Sequence, residues 1–242
     1  MKYTFIGSKI HSQVYPHPEP TSKFVPNWYK EMPRSRHPAT FKPMEDITWL
    51  EDNTQGLLYG HTMKECVPIR DYLTSGYIIP LWATIKISLN EEGRMNCGWG
   101  DGDEEIISFH RPHQTVGCPV HNKNNNSKDV PKLMCPWQFK TPKGYSTFFF
   151  SPRYMEGQIE ILPAIVDTDS YHEVNFPFLY HGKNGEENTF EKGTPIVQLI
   201  PFKREDWKME MEEGDFVKSR KFIASFMDSA YRKFAHRKKV FK

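Results

Sequence analysis

The chain has 242 residues, enough for one or two domains with a sizeable core. Its 32 Lys and Arg stand against 30 Asp and Glu, and the formal net charge of +2 excludes a globally basic nucleic-acid binder. No apolar run is long enough for a bilayer span or a signal peptide, so a soluble chain that is made and kept in the cytoplasm and not secreted is expected.

Four cysteines, Cys66, Cys97, Cys118 and Cys135, are far apart and lack a CxxC spacing, which fits reduced thiols better than a disulfide framework. Nineteen prolines with 17 Phe, 11 Tyr and 6 Trp suit short strands joined by rigid loops. Proline removes a backbone donor, and bulky rings fill pleated surfaces, so a mainly β fold is predicted.

Residues 1–45 are rich in proline and read as an extended arm laid on a core. From Thr62 to Leu89, the Thr74–Gly76 turn signal precedes an alternation through Trp82, Thr84, Lys86 and Ser88, which predicts a pair of strands with a tight connection. Asn90 to Asp103 carries four glycines and reads as hairpin turns. His110, His113, Cys118 and His121 follow within twelve residues, a density of imidazole and thiolate that suits zinc, although the spacing is not that of a familiar finger and loop histidines bonded to backbone are the commoner explanation.

Between Trp137 and Phe202 come the strand-like runs QFKT, YSTFFFS, EILPAIV, VNFPFLY and PIVQLIPF. Pro177 within its run predicts an edge position or a bulge. After Lys203 the pattern changes. Asp215 is a plausible N-cap, and Val217, Phe222, Ile223, Phe226, Ala230 and Phe234 recur near a 3.6-residue period, predicting a basic amphipathic helix in 205–242. Such a helix either packs its apolar face on a barrel or meets a nucleotide, a nucleic-acid backbone or another anionic surface.

Three collinear pieces, TPKGYSTFFFSPRY, ILPAIVDTDSYHEV and FEKGTPIVQLIPF, resemble elements of the dUTPase and dCTP deaminase family: a Pro-Arg element, a "GVIDxDY" hairpin and a "GxxIAQLI" strand. The resemblance covers residues 141–202 and implies a dUTPase-like β-clip, a distorted sheet barrel that assembles as a trimer. It matches Asp167 to the carboxylate that orients water, Arg153 and Gln198 to phosphate contacts, and Tyr171 to the sugar-stacking aromatic. The chain departs from the family at Tyr154 and Met155, where Ser and Gly belong, and at Ser170, which separates the Asp from its aromatic. Ile78 stands where a magnesium-holding Asp is expected, with Asp71 and Glu173 as possible substitute carboxylates. The chain as a whole, with PNWYKEMP and CVPIRDYLTSGYIIPLW, is similar to a family of bacteriophage and bacterial proteins.

The expected architecture is therefore an arm over 1–45, a β-clip core over 46–204 and a C-terminal helix over 205–242. The expected function is a non-catalytic, trimer-forming structural or binding protein in a bacterial cell or virion, with phage or host proteins as further partners. A Mg-dependent deoxynucleotide pyrophosphatase and a nucleotide-sensing regulator are the alternatives. No cofactor is expected in the first reading, Mg in the second, and Zn only at the His/Cys cluster.

Overall fold

The computed structural model describes residues 1–36, 60–100, 104–117, 129–155, 157–214 and 231–242. The chain divides into two compact units. One joins Met1–Phe24 to Gly76–Glu205, and the other joins Val25–Ser75 to Asp206–Lys242.

The first unit is built from antiparallel sheets, as the proline and aromatic content predicts. Its largest sheet has the order β13-β11-β16-β5-β2, made of Ala164–Val166, Tyr145–Phe150, Pro195–Lys203, Tyr77–Pro80 and Glu19–Pro20. A four-stranded sheet runs β12-β14-β9-β8, from Ile159–Ile161, Phe176–Tyr180, Pro131–Leu133 and Ile107–Phe109. A third has the order β15-β6-β7, from Glu187–Phe190, Ile85–Leu89 and Met95–Trp99. The pair β1 (Thr4–Ile6) and β10 (Gln138–Lys140) completes it.

Alternation decides which residues enter the core. In β6, Ile85, Ile87 and Leu89 are buried while Lys86 faces out, and each buried aliphatic contributes roughly 1.5–3 kcal/mol. The β6–β7 hairpin turns where the glycine-rich run predicts, with Gly93 at φ 75 and its N–H donating to the Asn90 carbonyl. Phe139 meets Phe149 edge-on at 5.1 Å, and both join Phe176, Phe178 and Tyr180 in one cluster. Gly76 enters β5 at φ 75, and a Cβ there would lie 1.9 Å from the Leu199 carbonyl oxygen. Only glycine fits that approach.

Several expectations change. Residues before the Thr74–Gly76 turn form not a strand but helix α3, Val67–Thr74, with Pro68 in its first turn. Proline is favoured there because its missing donor would have no partner anyway, and Val67 and Leu73 provide the buried side. Pro177 is not at an edge. β14 pairs with β9 up to Pro177 and with β12 from Phe178, so the proline falls at the handover between partners. The arm is not wholly extended. α1 (Lys9–Val14), a 3-10 turn at Thr21–Phe24 and α2 (Asn27–Glu31) interrupt it.

The second unit contains α2, α3, the short pair β3 (Ser35–Arg36) and β4 (Gly60–His61), and a π turn at Tyr231–Ala235. Within this unit the end of the chain returns to α3 and the 3-10 turn Met63–Glu65 before it: Arg232 pairs with Glu65 at 2.7 Å, and His236 and Lys239 both hold Asp71. The predicted helix falls mostly on 215–230, outside the described residues. Among those described, no helix is long and apolar enough to cross a membrane.

Candidate functional site

Of the site residues read from the sequence, Asp167 and Tyr171 lie beyond one end of β11 and Arg153 beyond the other. At its start, antiparallel pairing places the end of β13 beside Ser146, because Thr147 is opposite Val166. On the other side Tyr145 is opposite Lys203, which brings Arg204 alongside Gly144. The Arg204 N–H donates to the Gly144 carbonyl at 2.8 Å. Register alone thus gathers two aspartates and one arginine at a single corner.

The Arg204 guanidinium grips Asp169 with two bonds, of 3.0 and 2.5 Å, the fork geometry that makes Arg–carboxylate pairs strong. The Gly144 N–H adds a third bond to Asp169 at 2.7 Å. Together, and chiefly through Arg204, these contacts hold the Asp169 carboxyl down at about 2. Asp167 Oδ1 accepts from the Ser146 hydroxyl at 2.6 Å and lies 3.0 Å from Arg204. Its carbonyl accepts from the backbone of Ser170 and Tyr171, closing the turn. This turn is a corner between sheets, not a β-hairpin: β13 pairs with β11, whereas the next strand, β14, belongs to the β12-β14-β9-β8 sheet.

Below the corner Thr168 is fully buried, and its hydroxyl contacts those of Thr141 at 2.9 Å and Thr147 at 2.7 Å. Thr147 also meets the Tyr3 hydroxyl at 3.1 Å. These hydroxyls satisfy one another where water is excluded. Tyr171 points outward, 60 % exposed.

Beyond the other end of β11 the chain forms a pocket of about 280 Å³ lined by Arg153, Tyr154, Glu160, His181, Phe190 and Thr194 among others. Arg153 reaches Glu160 Oε1 at 3.3 Å, and the His181 ring contacts Glu160 Oε2 at 2.8 Å. Tyr154 is the one described non-glycine residue at positive φ, 64°. It occupies a place where the resembled family carries a small residue. About 13 Å of strand, from Ser146 to Phe150, separates corner from pocket. Gln198 belongs to neither: it is buried in β16 between Phe150 and Ile78. Within one chain, Asp167, Arg153 and Gln198 therefore do not converge.

No family model matches the chain, and no curated protein does. Among solved structures it is similar to a dUTPase from phage phi11 of S. aureus that coordinates a structural Mg(II) ion. Identity is 10 %, coverage 58 % of this chain and 84 % of that one, and the TM-score 0.33. It is similar also to dUTPases of Staphylococcus bacteriophage 80alpha, at 13 % identity over 59 % of this chain and 84 % of that one with a TM-score of 0.31, or at 12 % identity over 58 % and 77 % with the same score.

The magnesium implied by the resemblance does not fit the residues at its expected place. Ile78 is fully buried hydrocarbon, and magnesium requires oxygen. Each substitute carboxylate already has a partner: Glu173 accepts from Gln138 at 3.2 Å in the first unit, and Asp71 is held by His236 and Lys239 in the second. For zinc, His110 donates from Nδ1 to the Val130 carbonyl at 2.9 Å, and His113 is exposed on helix α4, Pro112–Thr115. Cys118 and His121 lie outside the described residues.

Sequence reasoning did not find Arg204, Ser146, Glu160 or His181. Arg204 carried a signal, since continuing the PIVQLIPF strand by two residues in antiparallel register reaches it. Glu160 and His181 carried none, being separated by twenty-one residues and joined only through the β12–β14 pairing.

Proposed function

We propose that this chain is a non-catalytic structural or binding protein that self-associates as a trimer and is built on a dUTPase-like β core. One observation carries the reading. Asp167, which by resemblance would orient the attacking water, has an oxygen committed to Ser146 and Arg204. A general base must be within reach of the proton it removes. Arg153, Gln198 and Tyr171 are then ligand contacts or remnants of them, with Arg153 already paired to Glu160.

Pyrophosphate release from each deoxynucleoside triphosphate with Mg, beside an Asp167→Asn control, tests this. No release is expected. Turnover that vanishes in the control would replace the proposal with the pyrophosphatase reading. Binding without turnover, seen as a nucleotide-dependent rise in melting temperature, would favour the sensor. Light scattering is expected to give the mass of three chains, and a monomer would remove the trimer.

Two further parts of the proposal are tested separately. Zinc at His110, His113, Cys118 and His121 is checked by metal analysis of protein purified without a His tag, and a stoichiometry near zero removes it. Binding of a nucleic-acid backbone by the basic C-terminal region is checked by the salt dependence of affinity.

A further inference from the structure

Beyond β16, residues 206–213 (DWKMEMEE) belong to no helix or strand, and none of their backbone groups bonds to another described residue. Lys208 reaches Glu210 at 2.7 Å, so side chains two apart share one side, as they do in a strand. The same period groups Trp207, Met209 and Met211, each at least 85 % exposed. Single exposed apolar residues are ordinary, whereas a contiguous row of them marks a contact surface. Tryptophan is enriched among the anchors of such surfaces, and methionine adapts to irregular ones.

Charge narrows what can cover this row. Asp206, Glu210, Glu212 and Glu213 stand against Lys208, four acids to one base and a net charge of −3. A phosphate backbone or an anionic membrane repels such a strip. It fits a protein surface that is both basic and apolar. Residues 231–242 of this chain have that character: of their six Lys and Arg, Arg232 and Lys239 are matched by Glu65 and Asp71, which leaves a charge of +4. Tyr231, Phe234 and Val240 stand exposed among them. Both surfaces belong to the second unit, and in the single chain both are open to solvent.

We propose that residues 206–213 of one copy dock on residues 231–242 of a second copy. Trp207, Met209 and Met211 then meet Tyr231, Phe234 and Val240, while the carboxylates face Lys and Arg. This contact presupposes the self-association proposed above and assigns it surfaces. Strip and basic segment are different surfaces, so the contact runs head to tail, and every strip is covered only when the copies close into a ring. A row of three side chains is smaller than a standard interface. The contact is therefore weak by itself and sensitive to salt, which screens its charges.

Zero-length coupling of carboxylates to lysines, on a mixture of unlabelled chain and chain grown on heavy nitrogen, tests the docking. Mixed-isotope links from Glu210, Glu212 or Glu213 to Lys233, Lys238 or Lys242 are expected. The link between Lys86 and Glu187, 3.0 Å apart within one chain, should stay within one isotope and serves as the control. Trp207→Ser combined with Met209→Ser and Met211→Ser keeps every reacting group, and it should lower the yield of mixed links about tenfold. Raising NaCl to about 0.5 M should lower that yield in the native chain as well. Links confined to one isotope mean that the strip folds onto its own chain and overturn the proposal. A yield that the triple variant leaves unchanged also overturns it, since chance encounters need no apolar row. Light scattering on the same samples separates this contact from the trimer. The mass of three chains without mixed links removes the docking and leaves the trimer, and the mass of one chain removes both. If the triple variant fails to fold and loses the Lys86–Glu187 link, the salt response of the native chain decides.

Discussion

The two ends of β11 use charge in opposite ways. At the Ser146 end, one arginine is shared by two aspartates, with a backbone N–H and a serine hydroxyl completing the arrangement. At the Arg153 end, a single glutamate is shared by an arginine and a histidine on the rim of an open pocket. The Asp169 side chain is 7 % exposed, whereas that of Arg153 is 71 % exposed. Similar residue types therefore lock a corner in one place and leave a surface available in the other.

The sharpest way to break the contrast is to attack the hydroxyls under the corner. Thr168→Val keeps the shape and removes the oxygen that Thr141 and Thr147 both contact. A loss of about 1–3 kcal/mol is expected, because buried polar atoms are left short of a partner. A lower urea midpoint at unchanged slope would show it. A change under about 0.5 kcal/mol would mean that the corner does not depend on this network.

Arg204→Ala comes next and should lower the melting temperature by a few degrees, more than Arg204→Lys, since lysine keeps charge but not the two-pronged grip. Its signature lies in acid. Asp169 is depressed to about 2, so its contribution is complete above the ordinary carboxylate range and is lost as pH falls through about 2. The native chain should lose stability from about pH 4 down to about 2, and Arg204→Ala should lose less over that interval. Equal acid slopes would show that Arg204 does not set the Asp169 proton affinity.

Much of the corner was legible, and little of the pocket. The runs that became β10 to β14 and β16 are short stretches rich in aromatic and β-branched residues bounded by turn residues, so composition and punctuation sufficed to find them. Asp167 stood out through the resemblance of its run to the family's hairpin, and Asp169 is two residues further along the same turn. Arg204 joined them only through register, a property of strand pairs and not of one segment. The stretch before Gly76 was misread because the β-branched Val67 and Ile69 suit strands, whereas Pro68 falls in the first turn of a helix, where it is tolerated. Pro177 was misread for a related reason: edge and centre are decided by neighbours, and β14 changes neighbours at that residue.

At the pocket end, Tyr154→Gly tests whether the positive φ reflects strain. A side chain in that conformation costs roughly 1–2 kcal/mol, partly offset in glycine by its greater freedom when unfolded. A net gain of up to about 1 kcal/mol is expected from thermal unfolding. A loss would mean that contacts of the tyrosine ring outweigh the backbone, and that Tyr154 is part of what shapes the pocket.

The smallest effect belongs to Glu160→Gln. The substitution removes the charge that Arg153 and His181 share while leaving an oxygen to accept a bond. Both pairs are partly open to water, and exposed pairs contribute about 0–1 kcal/mol. Stability should therefore change by less than about 1 kcal/mol at about 0.05 M NaCl, and the difference should shrink further at about 0.5 M, where salt screens such charges. The corner should behave otherwise, because Arg204 and Asp169 are joined by directed bonds around a nearly buried carboxylate, and the cost of Arg204→Ala should survive the added salt. If both substitutions respond alike, the distinction between a locked corner and an open pocket is one of composition only, without energetic content.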